Sequence, residues 1–141
     1  MTRIDFYVLQ APDAEARLLF ACRLIAKVLR QGHRIFVAAR DREQADSLNT
    51  LLWTFQPESF TPHQIQAQTD LDCPILIGHG DDCGDHHDML VNLKDEVPPY
   101  FSRFQRLAEV VIQAEPVLTS TRENWKFYRD RGYPIQSHSL S

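Results

Sequence analysis

With 141 residues, 43% of them hydrophobic and 24% charged, the chain has the makings of one domain that buries about two-thirds of its unfolded surface around its own apolar core, with no need of a disulfide staple or structural metal. No apolar run approaches the ~20 residues that span a bilayer, Asp5 interrupts the N-terminal run where a secretory signal needs continuity, and three cysteines without close pairing (Cys22, Cys73, Cys83) suit a reducing compartment. A cytoplasmic address is therefore expected, and a net charge of -4 disfavours a surface that grips nucleic acid all over.

Ile4 to Leu9, I-D-F-Y-V-L, is β-branched and aromatic and stops at the turn Pro12-Asp13, so a first strand is predicted. Asp13 stands where it can cap a helix over Ala14 to Arg30. In that helix Leu18, Ala21, Cys22, Ile25, Ala26 and Leu29 recur at helical spacing, and Arg17, Arg23, Lys27 and Arg30 fall elsewhere on the wheel. Gly32 closes it as a C-cap glycine would. Arg34 to Ala39 is a continuous apolar strand of the kind a parallel sheet buries on both faces. Asp41 then caps a second helix, Arg42 to Trp53, with Ala45, Leu48, Leu51 and Leu52 facing inward. This β-α-β-α opening marks an α/β domain with a parallel sheet at its centre.

Thr54 to Thr69 reads as a long loop carrying Phe55, Pro57, Phe60 and Pro62, and its length and phenylalanines point to a partner-binding segment. Pro74 to Ile77 is a third strand. The loop Gly78 to Asp88 leads to a fourth, Met89 to Leu93. Tyr100 to Phe104 makes a short helical turn, and Leu107 to Ile112 is a fifth strand. A terminal helix, Thr119 to Arg131, follows Pro116 and ends at Gly132, leaving Tyr133 to Ser139 as an edge strand. One domain, 1–141, accounts for the whole chain.

Charge is unevenly placed. Nine acids face the single base Lys94 between Glu58 and Pro99, whereas from Ser120 to Ser141 Arg122, Lys126, Arg129 and Arg131 outnumber Glu123 and Asp130. The acidic stretch holds G-H-G-D-D-C-G-D-H-H-D. With Cys73, His79, Asp81, Cys83, His86, His87 and Asp88 it gathers candidate metal ligands, so a metal-dependent enzyme is one reading. No C-x-x-C or H-x-x-x-H spacing supports it, and Asp and His are common turn residues, so a solvated acidic turn is the competing one. Gly78, Gly80 and Gly84 are one residue off the dinucleotide fingerprint and precede a strand, not the helix N-terminus that would hold a phosphate. There is no G-K-[ST] and no G-x-S-x-G, and the cysteines sit in apolar or acidic settings that raise a thiol pKa. Neither a cofactor nor a catalytic residue is expected.

The terminal helix, T-S-T-R-E-N-W-K-F-Y-R-D-R, is different. Arg122, Trp125, Lys126 and Arg129 fall at i, i+3, i+4 and i+7, which puts three cations and an indole on one outward stripe, with Phe127 and Tyr128 turned to the core. Such a face suits an acidic peptide, a carboxylate or a nucleic-acid backbone; a solvated face with a snorkelling Trp is the plainer alternative.

The opening F-Y-V-L, the helix-strand L-I-A-K-V-L-R-Q-G-H-R-I-F-V-A-A-R-D, the R-E-N-W-K-F-Y-R-D-R-G-Y segment and above all L-W-x-x-x-P-E-S-F-x-P-H, Leu52 to His63, resemble the chi subunit of bacterial DNA polymerase III holoenzyme over nearly the whole chain. The resemblance implies a three-layer αβα sandwich around a mostly parallel (mixed) sheet, Rossmann-like without a nucleotide site. It implies a non-catalytic clamp-loader accessory protein that joins the psi subunit and the acidic C-terminal tail of single-stranded DNA-binding protein, and so meets single-stranded DNA indirectly. On this resemblance Arg122, Trp125 and Lys126, with Arg129 beside them, take the tail, and Trp53, Phe60, Pro62 and His63 face psi.

Overall fold

The computed structural model describes residues 1–55, 64–65, 74–80 and 86–140, the backbone alone at 53–55 and 64–65. β1 (Arg3–Leu9) leads into α1 (Ala14–Arg30) and β2 (Ile35–Ala38) into α2 (Arg42–Phe55). β3 (Gln64–Ile65), β4 (Ile75–Gly78) and β5 (Met89–Asn92) follow, then a 3-10 turn at Phe101–Arg103, β6 (Arg106–Val111), α3 (Val117–Asp130) and β7 (Ile135–Leu140). The strands form one sheet in the order β3-β4-β2-β5-β6-β1-β7.

Every described pairing is parallel. The sheet is therefore not mixed within these residues. The reason lies at β7, whose chain returns across the sheet as α3 before adding beside β1, a connection that delivers a parallel strand. The stretch expected as an uninterrupted loop from Thr54 to Thr69 contains β3, which pairs with β4; α2 also runs on to Phe55, and α3 begins two residues early, at Val117.

Side chains of alternate strand residues point to opposite faces, so the continuous apolar runs feed two cores. On one face Ile35, Val37, Ile75, Ile77, Met89 and Val91 meet Ala21, Cys22, Ile25 and Val28 of α1 and Ala45, Leu48 and Leu52 of α2. On the other, Ile4, Phe6, Phe36, Leu76, Leu90 and Leu107 meet Tyr100, Phe101 and Phe104 of the 3-10 segment and Val117 and Tyr128 of α3. The result is the three-layer sandwich the α/β pattern implies.

Arg17 departs from the expected wheel. It is buried, and its guanidinium donates to the carbonyls of Val110 (Nε, 2.9 Å) and Leu93 (Nη1, 3.3 Å). β5 pairs with β6 only as far as Asn92 opposite Glu109, so the Val110 carbonyl beyond has lost its ladder partner, and Arg17 supplies one.

Candidate functional site

Both ends of α3 are closed by its own flanks. Glu115 accepts from the Thr119 N–H and hydroxyl, each at 2.8 Å, which satisfies an orphan donor of the first turn and holds the Glu115 carboxyl below its ordinary pKa. At the other end Gly132, at φ +79°, donates to the Arg129 carbonyl and Tyr133 to that of Tyr128, the paired bonds of a Schellman cap. The same pair of bonds closes α1 at Gly32, where that glycine was expected. Asp13 sits at the N-cap of α1 in extended geometry, yet its side chain makes no capping bond, so the cap expected there does not form.

The inner side of α3 is anchored by a buried carboxylate. Glu109 of β6 accepts from Tyr128 Oη at 2.7 Å, Asn92 Nδ2 at 3.0 Å and Asn124 Nδ2 at 3.4 Å. Burial pushes its carboxyl up to about 7 despite these donors and the nearby Arg17 charge, which act the other way. Burial also raises the Tyr128 hydroxyl, with the Glu109 charge adding to it, so Tyr128 stays a donor. Glu109 appeared in the sequence as one acid inside an apolar strand. Its partners are 15, 17 and 19 residues away, and nothing local announced them.

The outer side carries the stripe. Trp125 is 36% exposed, with its ring centroid 5.0 Å from that of Phe6 on β1, so one edge of the indole rests on the core and the rest is open. Arg122, Lys126 and Arg129 are exposed around it, and with Thr121 and Trp125 they line a shallow depression of about 320 Å³. Arg129 has a 3.4 Å contact to its neighbour Asp130, whereas Arg122 and Lys126 form no ion pair among the described residues. All four stripe residues therefore stand together at one site. On the far flank, Phe127 is half-buried against Phe101 (5.7 Å) and beneath the Arg131 guanidinium (4.3 Å), and Tyr128 is fully buried, so both face away from the stripe.

A second concavity, about 380 Å³, lies at the C-terminal ends of the strands and is lined in part by Arg17, Arg40, Gln44, Glu115 and Pro116. Open parallel sheets usually take ligands in such a crevice, with helix N-termini holding phosphates. Here the chain's own acids occupy two of those N-termini. Asp41 accepts from the Gln44 N–H at 2.8 Å while Gln44 Oε1 accepts from the Arg40 N–H, and Glu115 caps α3.

Trp53 falls in the last turn of α2, and its side chain, with Phe60, Pro62 and His63, lies outside the described residues. Cys73, Asp81 and Cys83 lie outside them too. His79 and His87 are exposed and His86 is buried, and among the described residues no three His, Cys, Asp or Glu side chains gather to hold a metal. Burial pushes the Cys22 thiol up to about 12, which leaves it unreactive. Among the described residues no helix is long and apolar enough to cross a membrane.

Residues 1–136 match the family described as DNA polymerase III chi subunit, HolC. The chain is 41% identical over 140 residues to the DNA polymerase III subunit chi of Pseudomonas aeruginosa, covering 99% of this chain and 98% of that one. It is 26% identical to the subunit of the same name from Haemophilus influenzae (96% of each chain) and 25% identical to that from Escherichia coli (82% of this chain, 80% of the other).

Proposed function

This chain belongs to the DNA polymerase III chi subunit family, and on that footing we propose that it is a non-catalytic adaptor in the replicative polymerase assembly whose α3 face captures the acidic C-terminal tail of single-stranded DNA-binding protein. The observation that carries the reading is the grouping of Arg122, Trp125, Lys126 and Arg129 about one depression, with Arg122 and Lys126 in no salt bridge among the described residues and the indole 36% exposed. Carboxylates of the tail take charge-assisted hydrogen bonds from the guanidinium and ammonium groups, and an apolar tail residue packs on the indole. A short peptide with few contacts sets an affinity on the order of ten micromolar, weakened by salt.

On the same proposal Trp53, Phe60, Pro62 and His63 take the psi subunit, which makes the chain a bridge between the clamp-loader assembly and the DNA-coating protein. Contact with single-stranded DNA is then indirect. Calorimetric titration of a synthetic peptide of acids followed by proline and a C-terminal phenylalanine tests the reading, with wild type beside Trp125→Ala. Wild-type binding that is lost in the variant is the expected result, and equal affinities overturn it. A poly-dT titration in parallel at physiological salt is expected to give no retention; retention abolished by Arg122→Ala would favour direct strand binding instead.

A further inference from the structure

Trp125 leans toward one side of α3. Its ring lies on Phe6 of β1, while Phe127 on the opposite flank reaches Phe101. In the strand order β6-β1-β7, the side of β1 away from β6 is β7, the last strand of the sheet. Register pairs Phe6 with Ser137 and Val8 with Ser139, so both serines share the sheet face on which α3 rests. Both are exposed. The stripe thus stands on the side of a strip of sheet that no described residue covers, floored by two small hydroxyl side chains.

The backbone of that strip is open as well. The Ile4 N–H donates to the Pro134 carbonyl at 2.9 Å, and in a parallel pair the residues whose N–H and C=O meet the neighbour alternate. Gln136 and His138 therefore turn their main-chain groups to β1, and Ile135, Ser137 and Ser139 turn theirs outward. Nothing pairs with this outer edge among the described residues. Native edges are usually guarded by a lysine, an internal proline or a bulge. β7 reads I-Q-S-H-S-L and has none of these.

We infer that the free edge of β7 is the second wall of the acidic-peptide site: the peptide adds in extended form beside Ser137 and Ser139, bonding to their outward main-chain groups while its carboxylates reach Arg122 and Arg129. The inference rests on the acidic-tail reading and extends it from a helix face to a helix-strand corner. Main-chain pairing supplies a binding term independent of side chains, and the cations select acidic sequences. A second copy of this chain is the competing occupant of an unguarded edge, and charge speaks against it, because a two-fold β7-to-β7 pairing brings the cations beside the edge toward their like-charged mates.

Ser137→Pro removes one outward N–H and leaves the bonds to β1 in place, a substitution that edge strands tolerate. In calorimetry with the synthetic acidic peptide, Ser137→Pro is expected to weaken binding by roughly tenfold or more, and Ser137→Ala, which keeps the N–H, to change it little. Wild-type affinity in Ser137→Pro overturns the inference while loss in Trp125→Ala leaves the helix-face reading standing; no binding by wild type overturns both. Should the proline variant not fold, amide exchange on the wild type decides: peptide must slow exchange at Ser137 and Ser139, and unchanged exchange overturns the inference. A dimer in sedimentation that Ser137→Pro abolishes, with peptide binding unaffected, assigns the edge to a second copy and overturns it too.

Discussion

The strand-end crevice and the outer face of α3 are both concave and both carry arginines, yet their polar groups are committed in opposite ways. In the crevice, Arg17 donates to two backbone carbonyls, Asp41 and Glu115 cap the helices beside them, and Arg40 lies 3.3 Å from Asp41. On α3, Arg122 and Lys126 make no salt bridge among the described residues, Arg122 contributing only its charge to the lowered Glu115 carboxyl, and the indole between them is 36% exposed. The number of charges in a concavity therefore says little about recognition. What counts is which donors the fold has left unused. By that measure the donors of the crevice that α/β sheets ordinarily use for ligands are committed to the fold, and the outward helix face is the one proposed here to receive a partner.

The sharpest way to break this contrast is to remove an inner cation. Arg17→Ala leaves two buried carbonyls without donors and takes a positive charge from the neighbourhood of Glu109, so urea denaturation is expected to show a loss of roughly 2–4 kcal/mol. Peptide affinity of the folded fraction should not change. Arg17→Lys should recover only part of the loss, because one ammonium does not span both carbonyls as the guanidinium fork does.

Glu109 comes next. Its carboxyl has a pKa of about 7 in the fold against an ordinary 4.5, so between those values the folded state holds the proton more tightly than the unfolded chain does. The stabilisation from the neutral form is complete below about pH 4.5 and is lost as pH rises through about 7, a fall on the order of 3 kcal/mol. Chemical denaturation at a series of pH values should record that fall in wild type and lack it in Glu109→Gln. A flat wild-type profile would show the carboxyl to be better solvated than its burial implies.

The two regions were not equally legible in the sequence. The stripe was, because Arg122, Trp125, Lys126 and Arg129 are local to one helix, and 3.6-residue periodicity places them without knowledge of anything else. The glycine caps at Gly32 and Gly132 were legible for the same reason. Arg17 was not, since on the α1 wheel it resembles Arg23 and Lys27, and only the early end of β5 beside β6 explains its burial. Glu109 needed Asn92, Asn124 and Tyr128, which register and packing bring to it from two other elements, β5 and α3. The parallel direction of β7 depended on where α3 delivers the chain, and so its serines could not be placed beside Phe6 and Val8 from their spacing.

On the receptive side the largest expected effect is that of Trp125→Ala, which removes the ring resting on Phe6. Peptide affinity should drop by roughly tenfold or more, at a stability cost of about 1–2 kcal/mol for the part of the indole that is buried. The two losses separate by experiment, because affinity is measured on protein that is still folded at room temperature.

Arg122 is exposed and makes no salt bridge among the described residues, so Arg122→Ala is expected to leave the stability within about 0.5 kcal/mol of wild type, the reverse of Arg17→Ala. Its consequence should appear only in binding, as a several-fold weaker affinity together with a shallower salt dependence between about 0.05 and 0.5 M, since one of the screened attractions is gone. Lys126→Ala should behave alike. Arg129, already engaged by Asp130 at 3.4 Å, should contribute less than either. A stability loss at Arg122 comparable to that at Arg17 would mean that the outer cations, too, are committed to the fold, and the distinction between a structural crevice and a receptive helix face would fail.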